Sequence, residues 1–191
     1  MVPVLDGFQI LVDSGLKPQR ARTAIAHELI HTLFYSKEER IPTRLVRATE
    51  AEEHFCFDVA RRVLAPLRMV KFAGIPDLPS DADKFHALVK TFKLSRQVAA
   101  RLLLQDYGLA SGVAAVWTHS SGGWEMRRGN CFASPELPRP ERARLHGVAR
   151  AWLRKEEFDE QMSVTGSLDA SGLTGFVLVT QTKTEASRLT T

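Results

Sequence analysis

Thr23-Ala24-Ile25-Ala26-His27-Glu28-Leu29-Ile30-His31-Thr32-Leu33-Phe34 places two histidines four residues apart, with a glutamate directly after the first, in the pattern H-E-x-x-H. On an α-helix, residues i and i+4 share one face a turn apart, so both imidazoles can reach a single Zn²⁺ at about 2.0–2.1 Å. Glu28 lies roughly 100° around the helix from His27, beside such an ion and not aimed at it, which suits a general base acting on water. Leu29, Ile30, Leu33 and Phe34 make the segment apolar enough to predict a buried helix, on which His27 and His31 need partners. One metal serves both. Thr23 is the expected cap, and the run Ser36 to Arg40 followed by Pro42 closes the helix.

Working outward, Phe8 to Val12 reads as a strand and Asp13-Ser14-Gly15 as a turn leading to the motif. A second helix is expected from Thr49 to Ala65, stopped by Pro66, with Phe55, Cys56, Val59, Ala60, Val63 and Leu64 as its buried stripe and His54, Asp58, Arg61 and Arg62 opposite. A proline- and acid-rich loop, Gly74 to Asp83, precedes two helices, Asp83 to Phe92 and Ser95 to Tyr107, the latter capped by Ser95. Their outline is that of a helix-turn-helix, but packing beneath the metal site is the simpler role for a helical pair. After Gly108 short apolar runs among glycines predict a β-hairpin or meander through Val113–Thr118 and Cys131-Phe132. A helix over 141–160, a strand over 175–180 and a frayed tail from Thr182 complete the reading. The expected division is a metal-binding domain with its helical extension over 1–110 and an α/β region over 111–191.

The 191 residues, 44% hydrophobic and 25% charged, are ordinary for a globular chain with a core of its own. No apolar run approaches the roughly 18–20 residues of a membrane helix, and Met1 to Asp6 lacks a basic leader, so the expected location is cytoplasmic. Cys56 and Cys131 are far apart and form no C-x-x-C; Cys56 reads as packed core. A formal charge of +4 permits nucleic-acid contact without arguing for it, because the arginines are scattered.

A catalytic zinc takes three protein ligands and keeps an open position, so a third ligand must come from outside the motif. Glu50-Ala51-Glu52-Glu53-His54 is the available store. His54 points away from the apolar stripe, whereas Glu52 and Glu53 flank it, and periodicity does not separate those two. Tyr35, one turn beyond His31, is a candidate oxyanion donor or a packing aromatic. His86, His119 and His146 have no partners at ligand spacing.

Arg20 to His31 followed by Glu53-His54-Phe55-Cys56-Phe57-Asp58-Val59-Ala60-Arg61-Arg62-Val63-Leu64-Ala65-Pro66 resembles the ImmA/IrrE metallopeptidases, in which a basic lead-in precedes H-E-x-x-H and a second helix reads E-x-x-C/A-x-x-x-A-x-x-L-x-P. The resemblance covers about residues 8–110 and departs at Ile30, where a small residue is common. It implies an α+β, zincin-like hydrolase domain, with a short sheet on the motif helix, a second ligand-bearing helix and then a helical pair; the smaller β-containing region after residue 110 lies beyond the resemblance. It implies Glu53 as third ligand beside His27 and His31, Zn²⁺ as cofactor with Mn²⁺ as the alternative, and Glu28 as catalytic base. It also implies the substrate, a helix-turn-helix repressor whose cleavage switches on stress-response or mobile-element genes. Two other readings compete: a non-catalytic zinc-binding regulator acting through protein contacts, and a DNA-binding regulator using the helices near Ser95.

Overall fold

A computed structural model of the chain describes residues 1–36, 38–156, 162–168 and 174–181. The protein is α+β. It begins with an antiparallel hairpin, β1 (Val2–Val4) and β2 (Gly7–Gln9), turned at Leu5-Asp6 with Asp6 left-handed at φ 60°. The strand expected over Phe8–Val12 is therefore shorter and earlier.

The motif helix α1 runs Pro18–His31, starting five residues before the expected cap. Pro18 occupies the first turn, where a missing N–H costs nothing. Thr23 lies inside the helix, its hydroxyl donating back to the Gln19 carbonyl at 3.0 Å. The helix tightens into a 3₁₀ turn, Thr32–Phe34, and ends where Tyr35 becomes extended. β3 (Tyr35–Ser36) and β4 (Thr43–Arg44) then pair briefly.

The second helix, α2, spans Glu50–Leu64, with the Thr49 side chain accepting from the Glu52 N–H. It packs antiparallel on α1: His31 meets Glu52 near the start of α2, while His27 stacks on Phe57 a turn further along. Of the expected apolar stripe, Cys56 and Ala60 are buried and Val59 and Leu64 half-buried, but Phe55 and Val63 are exposed, and the charged Glu52 and Arg61 are buried beside them. Arg61 is the larger correction, placed on the outer face by periodicity but buried on Asp106 (2.9 Å) and Asp58 (2.6 Å). The expected burial of α1 is also only partly met. Ala26, His27 and His31 are inside, but Ile25, Leu29 and Leu33 form an exposed row.

Helices α3 (Leu67–Phe72), α4 (Asp81–Phe92) and α5 (Arg96–Arg101) follow, the last continuing as a π-helical turn over Leu102–Asp106. Ser80 and Ser95 cap α4 and α5, each accepting a backbone N–H three residues on. The long hairpin β5 (Gly112–Ser120) and β6 (Gly123–Ala133), helix α6 (Arg139–Arg154), β7 (Met162–Leu168) and β8 (Thr174–Gln181) complete the described chain. The tail from Thr182 lies outside the described residues.

Those four strands form one antiparallel sheet in the order β6-β5-β8-β7. It is the largest sheet described and lies after residue 110; beside the motif helix the described strands make only two-stranded pairs. Period-2 alternation gives the sheet two buried faces. Ala114, Val116, Phe176 and Leu178 pack with Phe85, Leu88 and Leu102–Leu104, so the core of the helices around α4 and α5 continues onto the sheet. Val113, Ala115, Trp117, Val177 and Val179 face Leu145, Val148, Ala149 and Leu153 of α6. Beyond the Arg61–Asp106 pair, α1 and α2 are tied to this body by Tyr107 donating to the Ala65 carbonyl (2.5 Å) and Arg22 donating to the Phe92 carbonyl (2.8 Å).

Candidate metal centre

The antiparallel pair α1–α2 brings His27, His31 and Glu53 together. The two histidine Nε2 atoms are 3.0 Å apart, and Glu53 reaches both, Oε2 at 3.2 Å from His27 and Oε1 at 3.3 Å from His31. Four ligands placed tetrahedrally at about 2.0 Å from zinc lie about 3.3 Å from one another, so the donor atoms of these three residues already stand at separations close to such an edge. Nitrogen and carboxylate donors suit the ion. His27 and His31 are buried, whereas the Glu53 side chain is half exposed, which leaves the cluster approachable from one side.

Each imidazole is held differently. His31 Nδ1 donates to Glu52 Oε1 at 2.7 Å, fixing the tautomer that turns Nε2 toward His27 and Glu53. Glu52 is buried and in turn ion-paired to the Arg44 guanidinium. Burial pushes its carboxyl upward, but hydrogen bonds from Arg44 and His31 outweigh that and hold it below the usual carboxylate range. His27 Nδ1 is buried with no hydrogen-bond partner among the described residues, and the ring is instead stacked on Phe57, centroids 3.8 Å apart and planes 30° from parallel. Burial, reinforced by the neighbouring His31, lowers the His27 pKa and so favours the neutral, ligating imidazole.

Glu52 and Glu53, inseparable by periodicity, thus differ in place. A second triad, His31 Nδ1 with Glu52 and Cys56, is also compact. It fits a metal less well: Glu52 is committed to Arg44, burial raises the Cys56 thiol to about 11, and all three residues are enclosed. Glu28 projects from α1 partly exposed, with the Met1 amino group 2.8 Å from Oε2. Tyr35 is tied to the cluster indirectly. Its hydroxyl accepts from Arg44 at 3.4 Å and its ring meets Phe8 edge-on.

Sequence reasoning missed the supporting roles of Arg44 and Phe57. Arg44 sits in a two-residue strand with no motif to mark it. Phe57 was findable, since it follows Glu53 by four residues and shares its face of α2.

Fold and site define an α+β chain with a two-histidine, one-glutamate cluster able to hold a divalent metal and a carboxylate beside it. No family model and no curated protein matches the chain. Among the described residues, no helix is long and apolar enough to cross a membrane.

Proposed function

We propose that the protein is a zinc-dependent endopeptidase of the ImmA/IrrE kind that cleaves a helix-turn-helix repressor in the cytoplasm and so relieves repression in a stress or mobile-element response. The observation that carries the enzymatic part is the cluster of His27, His31 and Glu53 at tetrahedral spacing, open on the Glu53 side, with Glu28 one residue from a ligand. The identity of the substrate rests on the resemblance of the two helical motifs alone.

His27, His31 and Glu53 would hold the ion. Bound there, a Zn²⁺ or Mn²⁺ ion supplies Lewis-acid polarisation of a peptide carbonyl and makes water acidic enough to lose a proton near neutral pH. Glu28 would serve as the base for the attacking water and then return the proton to the leaving amine, a general base becoming a general acid. Glu52, anchored by Arg44, keeps His31 in its ligating tautomer. Phe57 covers one face of His27 and holds that ring without a hydrogen bond.

The test mixes the protein with a candidate repressor, with zinc or with chelator, and compares Glu28→Gln. Metal-dependent cleavage by wild type and none by the variant is expected. Equal cleavage by both removes Glu28 as base, and zinc binding without cleavage of any offered repressor favours the non-catalytic reading, in which the metal only shapes a protein-binding surface.

A further inference from the structure

A cavity of about 740 Å³ opens along the α1–α2 groove beside the metal cluster, bounded by α5 and β6. Its α1 wall is Arg20, Thr23 and Ala24, the residues seven, four and three before His27 and hence on the histidine's own face. Its α2 wall includes Phe57, the ring stacked on His27. The cavity is thus separated from the cluster by the Phe57 ring. Its volume lies in the range of ligand clefts and exceeds any one side chain.

Its lining is apolar with an excess of positive charge. Arg20, Arg61 and Arg101 face a single carboxylate, Asp58. Arg61 is neutralised by Asp58 and Asp106. Arg101 is not: it is partly buried, lies 4.4 Å over the Phe132 ring and makes no ion pair among the described residues. Burial, and then the like charge of Arg61, lower its pKa, so the site disfavours this cation as it stands. A half-buried guanidinium over an aromatic ring, without its own carboxylate, is suited to receive one in bidentate fashion.

We propose that this groove seats an acidic stretch of the polypeptide that the metal centre cleaves, with Arg101 receiving an Asp or Glu side chain and the exposed Phe57 ring flanking its apolar neighbours. A peptide fits better than a free metabolite because the cavity is an open groove between helices whose Phe57 wall stacks on His27, so a chain lying in it passes one side chain from a ligating histidine. The inference rests on the endopeptidase reading, and binding tests it apart from cleavage.

The experiment measures fluorescence anisotropy of two labelled, amidated peptides, Gly-Glu-Phe-Glu-Leu-Gly and Gly-Lys-Phe-Lys-Leu-Gly, on the full zinc-loaded chain carrying Glu28→Gln. The acidic peptide is expected to bind at least about tenfold tighter, with the preference shrinking at high salt. Arg101→Gln should abolish that preference, and Arg101→Lys, which keeps the charge, should retain part of it. Zinc content and melting temperature of both variants should match the parent, separating a binding role from a structural one. Equal binding of the two peptides, or a preference that survives Arg101→Gln, overturns the proposal even if wild type cleaves a repressor. An Arg101-dependent preference without any cleavage would uphold the groove and count against the peptidase.

Discussion

Glu52 and Glu53 are adjacent in sequence yet should fail in opposite ways. Glu53 is half exposed and offers one oxygen to each Nε2, so Glu53→Ala removes a proposed ligand while burying nothing new. Its metal-free stability should stay within about 0.5 kcal/mol of wild type. Glu52 is enclosed, accepting from His31 at 2.7 Å and ion-paired to Arg44. Glu52→Ala leaves a largely buried guanidinium and an imidazole N–H without their acceptor, the situation that costs about 3–5 kcal/mol when a buried pair is broken. Partial exposure of Arg44 places the cost near the lower end of that range, about 3 kcal/mol. Its ligands remain, so zinc affinity should drop only about 10–100-fold, the usual effect of losing a carboxylate behind a ligating histidine. Glu53→Ala should lose more affinity than that. Competition with a chromophoric chelator gives the affinities, and urea unfolding of the metal-free proteins gives the stabilities. If Glu52→Ala loses zinc more completely than Glu53→Ala, or if the stability losses are reversed, the assigned roles are wrong.

Three further outcomes follow from the packing. Asp106→Asn leaves Arg61 buried with only Asp58 as its carboxylate and should cost about 1–3 kcal/mol in chemical denaturation, loosening α2 from the sheet body. Gly112→Ala places a Cβ 2.2 Å from the Val179 carbonyl oxygen, a backbone atom in the β5–β8 ladder that cannot swing aside, and should cost about 1–3 kcal/mol or more. His146 accepts or donates to Cys131 Sγ at 3.2 Å beside Trp117, and burial, then Arg150, hold its pKa below the ordinary value. The folded protein thus prefers the neutral ring: its contribution is fully present above about pH 6.5 and is lost as pH falls below that value toward the folded pKa. Urea midpoints between pH 7.5 and 5 should fall more steeply for wild type than for His146→Gln, and parallel slopes would remove His146 from the acid response.

The sequence made α2 legible because its two ends carry separate chemical marks, a capping threonine at 49 and a proline at 66. It misled at α1, where Thr23 looks like a cap but Pro18 pre-sets the first turn, and only the surroundings decide between them. The tight turn at Leu5-Asp6 went unread because the longer apolar run at Ile10–Val12 drew the strand later. Strand β7, Met-Ser-Val-Thr-Gly-Ser-Leu, was missed because it lies at the sheet edge with small and polar residues; Gly166 is there to make room for the Trp152 ring. Arg61 was unreadable in principle from periodicity, since its burial depends on Asp106, 45 residues away. The site divides along the same line. His27, Glu28 and His31 are local and legible, while the choice between Glu52 and Glu53 depends on how α2 is rotated against α1.

Where the ion sits is the claim on which the rest depends. An anomalous difference map from crystals of the zinc-loaded protein locates it directly. The account predicts a peak about 2.0–2.1 Å from Nε2 of His27, Nε2 of His31 and a Glu53 oxygen. A peak held by His31 Nδ1, Glu52 and Cys56, or none near α1, would contradict it.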